Sequence, residues 1–150
     1  MKKSFIFLIT CFFIIKINAQ QKELELVKNT ISTMFLGMKN GDSVLVKSCF
    51  TDSAILQTIS NKNNIVEIKN ENISKFLQTI SSLPKGFADE RISFKNIKID
   101  NDLASVWTPY QFFANGKFSH CGVNSFQLVR LKGLWKIQYI IDTRRKENCL

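Results

Sequence analysis

The sequence predicts one α+β domain in which amphipathic helices come first and pack on one face of a mainly antiparallel sheet. Two observations predict it. Apolar residues recur at spacings of three and four in the first half of the chain, and the spacing changes to two from Arg91 onward. Helices followed by a run of strands are typical of α+β domains. The chain shows no internal repeat and no low-complexity linker, so a single domain is expected.

An N-terminal signal peptide is predicted over residues 1–19, with cleavage near Ala19. Two lysines form a charged start, Phe5 to Ile15 is an almost continuous apolar run, and Ala19 is a small residue suited to cleavage. The run is shorter than the roughly 20 apolar residues that span a bilayer, so stable membrane insertion is not expected. The folded domain is therefore expected to cover residues 20–150 and to be periplasmic or secreted.

The helical half predicts two longer helices with a short one between them. Gly41 ends the first helix, and either Asp42 or Ser43 can cap the short helix. A brief strand is expected over Ala54–Ile59, and Pro84 ends the last helix. The apolar stripes of the two longer helices are Leu24, Val27, Ile31, Met34, Phe35 and Met38, and then Ile73, Phe76, Leu77 and Ile80.

The strand half predicts a meander joined by tight turns. Asn115-Gly116 is the strongest turn signal, because both residues tolerate the positive φ of a type I′ hairpin. Asn101-Asp102 and Lys132-Gly133 mark the other turns. The predicted strands are Ile92–Ile99, Ala104–Phe113, Lys117–Leu131 and Leu134–Asp142.

The charge of the chain is basic, and its distribution favours a solvated surface. Of the 21 Lys and Arg, three precede Ala19, so the mature chain has 18 against 12 Asp and Glu, a formal charge of +6. A basic surface attracts anionic ligands, membrane headgroups and nucleic acid. The basic residues are scattered singly, however, except at Arg144-Arg145-Lys146. Because export also removes the domain from nucleic acid, no nucleic-acid partner is expected.

The cysteines leave the thiol chemistry open. Cys49, Cys121 and Cys149 remain after cleavage, an odd number, so at least one is a free thiol or pairs between chains. Cys121 lies in a predicted strand and is interpreted as a small buried thiol. A Cys49–Cys149 bridge would fit an oxidising compartment. With His120 as the one histidine and no C-x-x-C motif, neither a metal site nor a cofactor is predicted.

Five segments of the strand half, together with Gly116, carry a family resemblance. The segments are Val106-Trp107-Thr108-Pro109-Tyr110, Ser119-His120-Cys121-Gly122-Val123-Asn124, Phe126-Gln127-Leu128-Val129, Trp135-Lys136-Ile137 and Asp142-Thr143-Arg144-Arg145. With the preceding helices, they make the mature chain resemble the nuclear transport factor 2-like (NTF2-like) superfamily, in particular its SnoaL-like and lumazine-binding members. The resemblance implies a cone-shaped α+β fold with N-terminal helices packed on a strongly curved sheet. It implies no single function, because that fold hosts isomerases, dehydratases, binding proteins and assembly modules.

Hairpin register predicts which side chains share a sheet face. If the last two hairpins close through two-residue turns, Gln111 faces His120 and Phe126 faces Tyr139. The face that results is mainly apolar with a few polar groups, which is the composition of a small-molecule pocket. Its members are Trp107, Gln111, Phe113, Phe118, His120, Asn124, Phe126, Leu128, Ile137, Tyr139 and Ile141.

His120 and Asp142 are the predicted catalytic residues if the domain is an enzyme. The pKa of an unperturbed histidine lies near 6.5, so His120 could shuttle a proton in a dehydratase or isomerase. A general base needs an orienting partner, and the His–Asp pairs of catalytic relatives point to Asp142. The simple register puts the two on opposite faces, whereas a bulge at Gly122 or a longer turn at Lys132 would reverse that. The alternatives are a non-catalytic pocket histidine and a salt bridge from Asp142 to a following arginine.

Further residues are assigned to ligand binding in the same pocket. Asn124 stands where some relatives carry a carboxylate, and it can form hydrogen bonds but cannot act as a base. Trp107 and Tyr110 could stack on a flat ligand, and Pro109 leaves the face of Tyr110 open. The full predicted ligand-binding set is Trp107, Tyr110, Gln111, His120, Asn124, Phe126 and Tyr139.

The sequence leaves three functions open. The leading hypothesis is an exported domain, homodimeric through the outer surface of its sheet, that binds a small, partly apolar molecule oriented by Trp107, His120 and Asn124. The second is a dehydratase- or isomerase-type enzyme that uses His120 and Asp142. The third is a protein-interaction module with a filled cone, which a cavity smaller than roughly 300 Å³ would favour.

Overall fold

The computed structural model describes the backbone of residues 3–62 and 65–149 and the side chains of residues 20–61 and 65–149. The predicted signal peptide at residues 1–19 therefore falls outside the described side chains. Within the described part of the chain, no helix is both long enough and apolar enough to cross a membrane.

The described residues form three helices and seven strands. Two helices come first, and the third lies between the second and third strands. The helices are α1 (Lys3–Asn40), α2 (Ser43–Ser48) and α3 (Ile73–Ser82). The strands are β1 (Phe50–Lys62), β2 (Ile65–Glu71), β3 (Ala88–Ile92), β4 (Asn96–Asp100), β5 (Leu103–Ala114), β6 (Lys117–Leu131) and β7 (Leu134–Arg145). The predicted α+β class is confirmed, with β2 as a strand that the sequence pattern did not indicate.

Side-chain caps determine where the two shorter helices begin. The carboxylate of Asp42 accepts a hydrogen bond from the backbone N–H of Leu45 at 2.9 Å. The amide oxygen of Asn72 accepts one from the N–H of Lys75 at 3.1 Å. Each cap satisfies an N–H group that has no partner within the first helical turn. Asp42, one of the two predicted caps, is therefore the residue that starts α2.

The strands form one curved sheet in the order β2-β1-β7-β6-β5-β3, and β4 also pairs with β5. The pairing of β1 with β7 is parallel, and the other pairings are antiparallel. The predicted strand Ile92–Ile99 is divided into β3 and β4. Ile92 lies opposite Tyr110 and Asn96 lies opposite Trp107, so the β3–β4 side has one residue more than β5 at this point. That extra residue interrupts the pairing.

The core lies between the helices and one face of the sheet, which we call the inner face. Val27 and Ile31 of α1 are fully buried, as are Leu128 and Ile137 of the sheet. The ring of Phe35 meets that of Phe126 edge to face, with centroids 6.2 Å apart. Burial of each such side chain contributes about 1.5–3 kcal/mol to folding. The α1 stripe predicted from the sequence is therefore the contact that joins the helical half to the strand half.

One disulfide joins Cys121 to Cys149, so the interpretation of Cys121 as a buried thiol is wrong. Cys121 pairs with Arg145 at the end of β7. Asn148 then adopts a left-handed conformation with φ of 52°, which turns the chain back. The two Cα atoms are thereby 5.7 Å apart, within the range for a disulfide. Cys49 is buried and free rather than bonded to Cys149.

Candidate functional site

Two bulges determine which residues face the hollow side of the sheet. Phe113 lies opposite Phe118, as predicted, but Phe112 lies opposite His120, so Ser119 is an extra residue in β6. In the next hairpin Leu128 lies opposite Ile137, as predicted, but Gln127 lies opposite Tyr139. Each extra residue shifts the pairing by one, and a shift of one exchanges the two faces of a strand. The predicted face is therefore wrong over much of the sheet.

Three of the predicted ligand-binding residues lie on the outer face as a result. Trp107 lies opposite Ser125, and 46% of its surface is exposed. Gln111 lies opposite Cys121. Tyr139 donates a hydrogen bond from its hydroxyl to Gln57 at 2.6 Å. The physical reason is the same for all three. Each residue pairs with the neighbouring strand at a position beyond one of the bulges, where the extra residue has shifted the register by one.

The inner face instead carries the other predicted residues, together with several that were not predicted. Asn124 lies opposite Asp142 and Thr108, and Asp142 lies opposite Thr58 in the parallel β1–β7 pair. Tyr110 lies opposite Gly122, which lies opposite Arg144. His120 and Asp142 therefore share a face, as the alternative register predicted. The shift comes from the extra residue Gln138 in β7, and not from Gly122 or Lys132.

Between this face and the helices lies a hollow with two connected parts. The inner part has an apolar wall and a volume of about 110 Å³. The outer part lies beside Tyr110, Phe112 and His120 and has a volume of about 290 Å³. The two parts are joined through residues that line both, which are Met38, Glu71, Phe76, Glu90, Asp142 and Arg144. Each part by itself is smaller than the roughly 300 Å³ at which ordinary ligand sites begin, so a ligand of ordinary size would have to extend through both parts.

Asp142 is the centre of a hydrogen-bond network on the floor of the hollow. Its Oδ1 accepts a short bond from the hydroxyl of Thr58 at 2.5 Å. Its Oδ2 accepts bonds from the Tyr110 hydroxyl at 3.1 Å and from Nε of Arg144 at 2.9 Å. Arg144 also donates to Thr58 at 3.0 Å. Both oxygens of Asp142 therefore accept hydrogen bonds, and one of the donors is the guanidinium group of Arg144.

Tyr110 reaches this network because Gly122 leaves room for its ring. A Cβ atom on Gly122 would lie 2.8 Å from Cε1 of Tyr110 and would also overlap the backbone of Thr143. The Tyr110 hydroxyl donates to the carbonyl of Thr143 at 2.9 Å as well as to Asp142. Burial raises the pKa of Tyr110 well above its ordinary value, and the charge of Asp142 raises it further. Tyr110 therefore stays protonated and acts as a donor.

Glu90 on β3 is an acidic residue of the hollow that the sequence pattern did not indicate. Its Oε1 accepts a hydrogen bond from Nδ2 of Asn124 at 2.7 Å. Burial raises the pKa of Glu90 from 4.5 to about 7, with a further contribution from the negative charge of Asp142, and the Asn124 bond and Arg144 oppose the rise. Glu90 therefore changes protonation state near neutral pH, as carboxyl groups that transfer protons or bind charged ligands do.

His120 is half-buried and lines the outer part of the hollow. Its ring lies against that of Phe112, with centroids 5.0 Å apart, and its Nδ1 pairs with the Ser119 hydroxyl at 3.1 Å. Burial lowers the pKa of His120, and the positive charge of Arg144 lowers it further. Because the oxygens of Asp142 are bonded to Thr58, Tyr110 and Arg144, no bond between His120 and Asp142 occurs among the described residues. The salt bridge to Arg144, the alternative role of Asp142, is present.

The missed residues had weak signals in the sequence. Glu90 lies just before the predicted strand Ile92–Ile99, so the sequence pattern assigns it to no sheet face, whereas β3 begins at Ala88. Thr58 lies in a predicted strand, but its position beside Asp142 depends on the parallel β1–β7 pairing, which no local pattern indicates. Arg144 lies beyond the predicted end of the last strand, and β7 continues through Arg145. The positions of Glu90, Thr58 and Arg144 in the hollow therefore depend on pairing between strands that are far apart in the sequence.

Solved structures of other proteins share this architecture. An NTF2-like protein of unknown function from Shewanella baltica OS155 matches with a TM-score of 0.68 at 17% identity, over 84% of this chain and 96% of that one. One from Silicibacter pomeroyi DSS-3 matches with a TM-score of 0.64 at 12% identity, over 84% and 98%. A protein described as a candidate dehydratase of the NTF2-like family, from Streptomyces avermitilis, matches with a TM-score of 0.62 at 12% identity, over 84% and 98%. No protein-family profile and no curated protein sequence matches the chain.

Proposed function

The chain has the NTF2-like fold, and on that premise we propose that it binds a small, partly apolar molecule in the hollow. One observation carries the proposal. The hollow has an apolar wall from Met34, Met38 and Phe76 and a floor of polar groups around Asn124 and Asp142. Apolar walls with a few convergent polar groups are the usual composition of ligand sites.

The proposal is supported by three residues that were predicted to bind a ligand and that line the hollow, which are Asn124, His120 and Tyr110. Asn124 lines the inner part and His120 and Tyr110 line the outer part. Phe126, also predicted, lines the inner part and is completely buried. A ligand would lie against these side chains, whereas Trp107 has no part in the proposal because it faces outward.

Export and a homodimer belong to the same proposal. The bond between Cys121 and Cys149 supports export, because structural disulfides persist in oxidising compartments. The outer face supports self-association, since Ile55, Trp107 and Phe118 each leave about half of their surface exposed there and an interface could bury these apolar side chains. Sedimentation at several concentrations tests the dimer, and a concentration-independent monomer would contradict it.

Native mass spectrometry of the protein purified from its source tests ligand binding. We expect extra mass in the native spectrum that disappears from the denatured spectrum. His120→Ala should reduce the retained mass because His120 lines the hollow. Trp107→Ala is the matched control and should leave it unchanged, because Trp107 lies on the other face. No retained mass, together with no binding of any small fragment, would favour a protein-interaction module with a filled cone.

A second candidate is a dehydratase- or isomerase-type enzyme, and one observation favours it. Glu90, whose pKa is about 7, and His120 line the same part of the hollow. One such group could remove the proton α to a carbonyl, while a second protonates a departing β-hydroxyl so that water leaves. A β-hydroxyketone incubated with the protein in D₂O should then lose water or exchange its α-hydrogen. Equal rates with the wild-type protein and with Glu90→Gln would exclude Glu90 from this chemistry.

A further inference from the structure

We propose that the ligand of the hollow carries a protonated amine, which pairs with Glu90, and an apolar body, which lies against Met38 and Phe76. The inference rests on the proposed function, because it names the chemical class of molecule that the same hollow would accept. It depends on the negative charge of ionised Glu90, and on the fact that Asp89 and Asp142 already form ion pairs with other residues.

Glu90 differs from the buried carboxylates of Asp89 and Asp142 because it forms no ion pair among the described residues. Asp89, the residue before it, forms ion pairs with Lys39 at 3.1 Å and Arg91 at 3.0 Å. Asp142 pairs with Arg144 at 2.9 Å. The hydrogen bond that Glu90 accepts comes from the neutral amide of Asn124. An ionised Glu90 thus feels the charge of Arg144 only at a distance, forms no ion pair among the described residues, and keeps oxygen lone pairs that a ligand can still use.

The surroundings of Glu90 favour a cation over an anion. A ligand carboxylate or phosphate would be repelled by Glu90 and Asp142. Arg144, the cation that lines the hollow, already donates from Nε to Asp142 and from Nη2 to Thr58. A protonated amine would instead form a charge-assisted hydrogen bond with Glu90. The ring of Phe76, which lines both parts of the hollow together with Glu90, would offer an aromatic face to the same cation.

The apolar wall determines the rest of the ligand. Met34, Phe35 and Met38 of α1 face Phe76 of α3 across the inner part. This wall has room for a small hydrocarbon or aromatic body and offers it no charged partner. A molecule with one amine and one apolar end therefore matches both sides of the hollow.

Proton linkage gives the proposal a pH signature. The titratable and charged groups that line the hollow with Glu90 are Glu71 of β2, Tyr110 of β5, His120 of β6, and Asp142 and Arg144 of β7; α1 and α3 contribute apolar or neutral side chains. An amine pairs with ionised Glu90, so its affinity should rise as the pH rises from 6 to 8. A neutral hydrogen-bond acceptor, which pairs with protonated Glu90, should show the opposite dependence.

The test compares three probes of similar size by titration calorimetry, which are 2-phenylethylamine, 2-phenylethanol and 3-phenylpropanoate. At pH 8 we expect the amine to bind about tenfold more tightly than the alcohol, the factor that one charge-assisted hydrogen bond supplies. Glu90→Gln keeps the size and the oxygen that accepts from Asn124, and it should abolish this preference. Glu67→Gln, at an exposed position of β2, is the matched control and should keep it.

The outcomes separate the two proposals. If the alcohol or the carboxylate binds as tightly as the amine, or if Glu90→Gln keeps the preference, the hollow binds small molecules but the amine inference is wrong. If no probe binds and native mass spectrometry shows no retained mass, the proposed function is wrong and the inference is wrong with it.

Discussion

Replacement of Glu90 by glutamine should make the protein more stable above neutral pH. Glu90 is held in the hollow with a raised pKa because burial disfavours its charged form. Glutamine keeps the length of the side chain and an oxygen that can accept the bond from Asn124, so the packing should change little. The substitution removes the cost of an ionised carboxylate at this position.

The size of the effect follows from proton linkage. The pKa of Glu90 is raised from 4.5 to about 7, and each pH unit corresponds to about 1.36 kcal/mol. The upper limit is therefore about 3 kcal/mol. The sign is fixed because the folded pKa lies above the unfolded one. The favourable contribution is fully present below pH 4.5 and is lost as the pH rises through about 7.

Urea unfolding at pH 5 and pH 8 measures this effect as a difference between wild type and Glu90→Gln. His120, whose pKa is lowered, changes stability in the opposite direction in this range, but it does so in both proteins and cancels from the difference. We expect Glu90→Gln to gain up to about 3 kcal/mol relative to wild type at pH 8 and clearly less at pH 5. A variant that is destabilised equally at both pH values would refute the reasoning, because Glu90 would then stabilise the fold through packing alone.

Three further substitutions test the structure around the site. Gly122→Ala should destabilise the fold by more than about 2 kcal/mol in urea unfolding, because the new methyl group would displace the ring of Tyr110; a soluble, equally stable variant would contradict that close approach. The double variant Cys121→Ala/Cys149→Ala should lose about 3.6 kcal/mol, the value for a loop with a sequence separation of 28. Wild type treated with reductant should lose as much, and an unchanged urea midpoint in both would show that the disulfide does not form. Thr108→Val should raise the free energy of unfolding by about 1 kcal/mol, since the buried Thr108 hydroxyl has no hydrogen-bond partner among the described residues. A loss of stability would indicate that the hydroxyl binds a water molecule or ligand.

The elements of the fold could be predicted from local patterns because those patterns arise within a few residues. The stripe of α1, the cap at Asp42 and the hairpin turn at Asn115-Gly116 each depend on residues close together in sequence, and all three occur in the structure. Both turn residues have positive φ, 50° and 75°, as the predicted hairpin requires. The predicted fold is confirmed for the same reason, since the order of helices and strands limits how a short chain can pack.

The site was predicted only in part because its geometry depends on non-local pairing. Asn124, His120 and Tyr110 line the hollow, whereas Trp107 and Tyr139 lie on the outer face. No residue type in the sequence marks the bulge at Ser119, which inverts the predicted faces of β5 relative to β6, or the bulge at Gln138, which inverts those of β7.

The sequence by itself determined the class of fold, the helix stripes, the turns and the single imidazole at His120, because each of these follows from composition or from short-range spacing. Only the tertiary structure decided the sheet register, the Cys121–Cys149 bond and the position of Glu90 above Asn124. The physical reason is that side chains alternate with a period of two along a strand. One extra residue therefore reverses the direction of all those that follow, and the packing of whole strands decides where that residue lies.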